Sequence, residues 1–239
     1  MFRRAVILCL LGLLPCLAQG QPLRIAVASN FAVPLHNLIS HYRQTHPSET
    51  DISVSIGSTG KLYAQIQRGA PFDLFLAADT ERPRRLVEAG LTLGGEEIYS
   101  VGRLALWHPK SPRPDELLNQ LRASPRIAMA NPKLAPYGLA AQQAIGALDW
   151  QQTPSAQLIT LENVGQTWAA VASGNATAGF VALSQLREQR TPETNFTLVP
   201  VILHDPISQA AVILKSSPQP EKAKRFLAFV QKNSGRLAP

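Results

Sequence analysis

Cysteine is almost missing from this chain of 239 residues: there are two, Cys9 and Cys16, and both stand inside the opening segment MFRRAVILCLLGLLPCLAQG. That segment holds two arginines, an apolar run from Ala5 to Ala18 and the small-x-small triplet Ala18-Gln19-Gly20, which is the layout of a secretory signal peptide. Residues 1–20 are therefore expected to be removed, leaving about 219 residues from Gln21 with no cysteine and no capacity for a disulfide. Lipid attachment at Cys16 is disfavoured by Pro15, because such signals want a small residue before the cysteine. Long apolar runs are missing too. The leader's run is about 14 residues, below the roughly 20 that span a bilayer, and no later stretch approaches that length. The mature protein is expected to be soluble and periplasmic.

Clustered charge is also lacking. The net charge of +7 falls to +5 once Arg3 and Arg4 leave with the leader, and the remaining basic residues are scattered along the chain. A nucleic-acid-binding face needs clustering, so no nucleic-acid partner is expected. None of the histidines, His36, His41, His46, His108 and His204, stands in a metal-ligand spacing such as H-E-x-x-H. His36 and His41 fall on different helix faces and are expected to be solvated. No G-x-S-x-G elbow surrounds a serine, so a hydrolase triad has no local signature. Asp73 and Asp79 flank the apolar run LFLAA, and Asp79, standing before a helix, reads as a cap rather than a general base. There is no internal repeat, low-complexity tract or heptad. With 45% hydrophobic and 16% charged residues, the composition is that of an ordinary globular protein of one or two domains.

What is present is a repeating strand, turn and helix. LRIAVAS reads as a buried strand, and Asn30 to Gln44 carries Phe31, Leu35, Leu38, Ile39 and Tyr42 at helical spacing. DISVSI follows, with Ile52, Val54 and Ile56 on one face, then GSTG and a helix closed by Gly69. FDLFLAA and the helix from Thr80 to Ala89 complete a βαβαβα series, which predicts an α/β fold with a parallel sheet covered by helices. IYSVGRLALW reads as one long strand, after which the proline-rich HPKSPRP opens a second series. That series comprises helix Pro114 to Arg122, strand RIAMA, loop NPKLAPYG, helix Leu139 to Leu148, strand QLITL, turn ENVGQ, helix Thr167 to Ser173 and strand AGFVAL. TLVPVIL and QAAVILK read as strands and Pro220 to Asn233 as a closing helix. The chain thus crosses into a second lobe near residue 100 and returns near residue 197, giving lobe I as 21–100 with 197–239 and lobe II as 101–196.

Ligands of such sheets bind beyond the carboxyl ends of the strands, where strand leads into helix. Four polar turns stand in that place: Ser29-Asn30, GSTG at residues 57–60, NPKLAPYG with the Tyr137 phenol, and Asn163-Val164-Gly165. GSTGK is not a nucleotide loop. Counting back from Gly60 puts Ser55 where the first P-loop glycine belongs, and Leu62 stands where the magnesium-binding hydroxyl belongs. It fits anion capture at a helix N-terminus, where the first N–H groups lack internal partners, or a simple N-cap. If the four turns converge on a cleft, they supply neutral donors from both sides.

These segments resemble one family, the periplasmic molybdate-binding proteins that deliver substrate to ABC transporters. AVASNFAVPL, GSTGKLYAQI followed by RGAPFDLFLAAD, ANPKLAPYGLAA and ENVGQTWAAVASGNATAGFVALSQL carry the resemblance, which runs from LRIAVASNF to the last helix. It implies a two-lobe binding-protein fold of type II, mostly parallel sheets flanked by helices, two crossover strands, and a tetrahedral oxyanion closed between the lobes. The family's ligand positions carry over to Ser29 and Asn30, Thr59 with its neighbour Ser58, Tyr137, and Val164 through its backbone N–H. Some members place a tyrosine where this sequence has Ala182; others use the tyrosine corresponding to Tyr137. Lys61 is not among the usual ligands and is expected to be solvated.

The donor chemistry suits the dianions molybdate and tungstate, which only accept hydrogen bonds. Phosphate keeps a proton that, without a carboxylate to accept it, costs about 1 to 3 kcal/mol. The implied protein is a monomer without catalysis, cofactor or cation site, and its partners are the oxyanion and a membrane permease. Sulfate binding is the nearest alternative and a secreted serine hydrolase a remote one.

Overall fold

The computed structural model describes residues 21–110, 116–148, 150 and 157–234. The expected leader, both cysteines and part of HPKSPRP, including Pro114, lie outside these residues.

Strand β1 (Leu23–Ala28) is apolar except for the half-buried Arg24 and is otherwise buried on both faces, as the middle of a covered sheet must be. It leads through a short 3-10 turn (Ser29–Phe31) into α1 (Ala32–Thr45). Strand β2 (Ile52–Gly57), α2 (Thr59–Gln67), β3 (Leu74–Leu76) and α3 (Glu81–Glu88) follow. Both β2 and β3 pair with β1 in parallel, with Ala28 level with Gly57 and Val27 with Leu76. That register sets the turns after β1 and β2 side by side on one edge.

The segment expected as one strand is two. Strand β4 (Glu97–Gly102) belongs to the first sheet and β5 (Leu104–Trp107) to the second, with the break at Arg103. Apolar periodicity could not reveal this, because both halves are strand and only their pairing partners differ. The second series gives α4 (Leu117–Ala123), β6 (Arg126–Ala130), α5 (Pro136–Ala147), β7 (Gln157–Leu161), α6 (Val164–Ala172), β8 (Ala178–Ala182) and α7 (Leu183–Glu188). The chain then forms β9 (Phe196–Leu198) in the second sheet and crosses back to β10 (Ile207–Ile213) in the first, ending with α8 (Pro220–Ser234). The expected strand TLVPVIL is strand only to Leu198; Val201–Leu203 is a 3-10 turn.

The sheets have the orders β2-β1-β3-β10-β4 and β7-β6-β8-β5-β9. The βαβ units account for the parallel part of each: β2-β1-β3 in one and β7-β6-β8 in the other. The strands that carry the chain between the lobes, and those beside them, pair antiparallel, so both sheets are mixed. In the first lobe α1 and α8 cover one face through Leu35, Leu38, Tyr42, Phe226 and Val230, while Leu62, Ile66 and Leu86 of α2 and α3 cover the other. The expected inward row of β2 fades along its length: Ile52 is buried, Val54 half-buried and Ile56 exposed, because this edge strand runs out to the mouth of the cleft.

Asp73 has a structural task. Its buried carboxylate accepts from the Arg24 backbone N–H at 2.7 Å and from the Ser217 hydroxyl at 2.7 Å. Burial works to raise its pKa, and the hydrogen bonds of Arg24 and Ser217 more than offset that, leaving it below the usual range.

Candidate oxyanion-binding site

The four turns meet across the interface between the lobes. Ser29 opens the 3-10 turn after β1, and its Oγ accepts the Gly165 N–H of α6 at 3.2 Å. Ser58 caps α2, its Oγ accepting the Lys61 N–H at 3.3 Å. Thr59 Oγ1 accepts the Ala78 N–H, just past β3, at 3.1 Å. Each of these hydroxyls is thus oriented by a backbone donor, which leaves its own hydrogen to give to a guest. Asn163 caps α6 by accepting from the Gln166 N–H at 3.0 Å, and Val164 follows at the first helical position, where an N–H has no partner inside its helix.

Asn30 and Tyr137 form the floor. Both are buried, Asn30 at 2% exposure and Tyr137 at 3%. Asn30 Nδ2 donates to Gln209 Oε1 at 2.8 Å, and its carbonyl accepts from the Ser184 hydroxyl of the other lobe at 3.3 Å. Tyr137 enters from the first turn of α5. Burial raises its phenol well above the ordinary value, while hydrogen bonds from the Asn30 and Gln209 side chains work the other way. The phenol is therefore a hydrogen-bond donor at any physiological pH. The structure sets Ser29 against the start of α6, where Val164 stands, Asn30 beside Tyr137, and Ser58 and Thr59 beside the Ser29-Asn30 turn through the strand register. Ala182, fully buried at the end of β8, brings no phenol.

The lobes are drawn together around this floor. Gly60 N–H donates to Leu134 O at 2.8 Å, and a Cβ at Gly60 would lie 3.1 Å from the Leu134 backbone. The glycine of GSTG thus admits the opposite lobe. Arg82 Nη2 reaches Lys133 O at 2.8 Å, and Asn37 Nδ2 reaches Glu188 at 3.1 Å. Lys61, expected to be solvated, is exposed but forms a 3.0 Å ion pair with Glu162 of the second lobe. Its place is at the rim, in closure.

Asp79 behaves as a cap, accepting the Arg82 N–H at 3.0 Å and pairing with its guanidinium. Burial raises this carboxyl above its ordinary value, with Arg82 opposing. Neither turn serine is hydrogen-bonded to a histidine, and among the described residues no group of three or more His, Cys, Asp or Glu could hold a metal ion. His36 and His41 are exposed on α1, as expected. Sequence reasoning missed Gln209 and Tyr99, whose hydroxyl donates to Ala77 O at 3.0 Å and approaches Gln209 Oε1 at 3.1 Å. A glutamine at the head of the apolar run AAVIL was the available signal.

Two α/β lobes joined by crossing strands, with donor-bearing turns of both facing one interface, define a two-lobe solute-binding protein. The chain belongs to the bacterial extracellular solute-binding protein family, whose profile matches residues 23–238. It is 37% identical over 224 residues to a molybdate-binding protein of Azotobacter vinelandii, covering 92% of this chain and 88% of that protein. A molybdate-binding protein of Rhodobacter capsulatus is 36% identical over 208 residues, covering 86% and 81%. The solved structure of an Azotobacter vinelandii periplasmic molybdate-binding protein superposes with a TM-score of 0.81 at 32% identity, covering 87% of this chain and 92% of that one.

Proposed function

We propose that this protein captures molybdate, and tungstate with it, between its two lobes outside the cytoplasm and delivers it to the permease of an ABC transporter. It does so as a monomer, without cofactor or catalysis, after loss of the leader 1–20 and without a lipid on Cys16. The observation that carries the reading is the set of hydroxyls at Ser29, Ser58 and Thr59, each held by an incoming N–H so that its hydrogen is free to donate. With the Tyr137 phenol and the Val164 N–H, this is a donor-only lining for an acceptor-only guest.

Asp79 and Glu162, the acids nearest the second and fourth turns, are engaged by Arg82 and Lys61. A protonated oxyanion would find no free carboxylate, which disfavours phosphate by about 1 to 3 kcal/mol. The kinship with two molybdate-binding proteins at 36% and 37% identity supports molybdate over sulfate. Closure across Gly60 and Lys61 supports a mechanism in which the lobes shut on the anion and the permease reads the shut form.

Thermal unfolding of the mature protein with molybdate, tungstate, sulfate and phosphate tests this. A ligand at 100 times its dissociation constant adds about 2.7 kcal/mol, and molybdate and tungstate are expected to give that shift. A shift with sulfate or phosphate and none with molybdate or tungstate overturns the reading. Tyr137→Phe is expected to weaken molybdate binding by roughly 0.5 to 3 kcal/mol. Unchanged affinity in a calorimetric titration removes Tyr137 from the site.

A further inference from the structure

We infer that Gln209 is a positioning residue for oxyanion capture: its neutral carboxamide sets the Asn30 amide and the Tyr137 phenol together where the two lobes meet. The inference rests on the oxyanion reading above and adds a residue to it. Gln209 lies on β10, and the pairing with β4 slips one residue at this point, Gln209 facing Ser100 while Ala210 faces Ile98. Such bulges re-aim a side chain. Gln209 is 2% exposed in a strand that is otherwise almost wholly apolar.

Its amide oxygen has two partners, and its amide nitrogen faces the Tyr137 phenol. Oε1 receives Asn30 Nδ2 at 2.8 Å and the Tyr99 hydroxyl at 3.1 Å, while Tyr99 is itself anchored on Ala77 O. Nε2 would lie 3.0 Å from a Cβ at Gly102, and the same point is 2.2 Å from the Tyr137 oxygen, so amide and phenol converge over the one residue there without a side chain. Asn30, Gly102, Arg103, Tyr137, Ser184 and Gln209 line a small, partly open cavity of about 20 Å³ at this place, room for about one water.

The residue type matters. An apolar side chain at 209 would take from the Asn30 N–H the acceptor that fixes its rotamer, while the Tyr99 hydroxyl would keep Ala77 O. A carboxylate would keep the acceptor but add a negative charge behind the residues that hold a dianion. A protonated carboxyl would restore one acceptor and one donor. The titratable groups around position 209 are Tyr99 on β4, Tyr137 on α5 and, lining the same cavity, Arg103 between β4 and β5; Asp79, beyond β3, acts on Tyr99. The neighbours from the other elements, Asn30, Phe31, Ser184 and Ser234, do not titrate.

The test is calorimetric titration of wild type, Gln209→Leu and Gln209→Glu with molybdate from pH 5.5 to 8.5, with ligand-free melting temperatures measured alongside. Wild-type affinity is expected to stay flat, and Gln209→Leu to bind at least tenfold more weakly. Gln209→Glu should be at least tenfold weaker at pH 8.5 and recover as acidification protonates the buried carboxyl. A purely structural role would lower the melting temperatures without that return at low pH. Wild-type affinity in Gln209→Leu, or a Gln209→Glu defect that does not move with pH, overturns the inference. If wild type takes sulfate and no molybdate, the molybdate reading fails, and the same comparison run with sulfate decides the role of Gln209.

Discussion

Gly102→Ala is expected to lower oxyanion affinity tenfold or more while both lobes stay folded. Gly102 ends β4, the strand that carries the chain toward the second lobe, and a Cβ there would stand 2.2 Å from the Tyr137 oxygen, 2.9 Å from its Cζ and 3.0 Å from Gln209 Nε2. These neighbours are the ends of side chains, so β4 itself need not move. The phenol must swing away, or the lobe that carries it must stand off. Either displaces the donor at the floor of the cleft, and a tenfold loss corresponds to about 1.4 kcal/mol. Titration with molybdate measures the affinity, and the ligand-free melting temperature is expected to stay close to wild type. An unchanged dissociation constant would mean that Tyr137 does not seat on Gly102 in the bound form.

Gly138→Ala is expected to destabilise the protein by on the order of 3 kcal/mol, a fall of roughly 6 to 12 °C in melting temperature for a chain of this size. A Cβ at Gly138 would lie 2.2 Å from the Ala130 carbonyl oxygen, 2.6 Å from its carbon and 2.9 Å from the Asn131 carbon. All three are backbone atoms at the end of β6, so nothing flexible can give way. Alanine's better helix propensity returns only about 1 kcal/mol. The first turn of α5 must then lift from the sheet, and Tyr137, one residue away, goes with it, so affinity falls as well. A differential scanning measurement decides the matter: melting at the wild-type temperature would show that α5 does not rest on β6 this closely.

The two substitutions separate two uses of the same absence. At Gly138 the missing side chain lets a helix sit on its own lobe, which is a requirement of folding. At Gly102 it lets a residue of one lobe sit on a strand of the other, which is a requirement of closure.

Much of the fold was legible because it is written locally. A short apolar run such as IAVA, bounded by the turn residues Ser29 and Asn30, reads as a covered strand, and the 3.6-residue spacing of Leu35, Leu38, Ile39 and Tyr42 turns α1 onto it. The turns were legible for the same reason. Ser58 and Asn163 cap the helices that follow them through N–H groups three residues on, a relation inside one turn of chain. What misleads is also local: Lys61 reads as a solvated charge because its partner Glu162 lies 101 positions away. The split at Arg103 was invisible because two strands in sequence look like one until their neighbours are known.

The kind of chemistry was already set in the chain: hydroxyls, an amide, a phenol and helix-opening N–H groups at strand ends, with no cysteine after Cys16 and no metal-ligand spacing to compete. Tertiary structure alone decided how those groups are aimed. Ser29 is set by Gly165 across 136 positions and Asn30 by Gln209 across 179, both through contacts that bring together strands and helices far apart in the chain. Capping and periodicity act within a few residues, whereas a side chain's final orientation depends on whichever distant backbone the fold lays beside it. That is why GSTG could be read from the chain as a donor turn, and why the task of Gln209, a lone amide beside an apolar run, emerged only once β10 was placed beside β4.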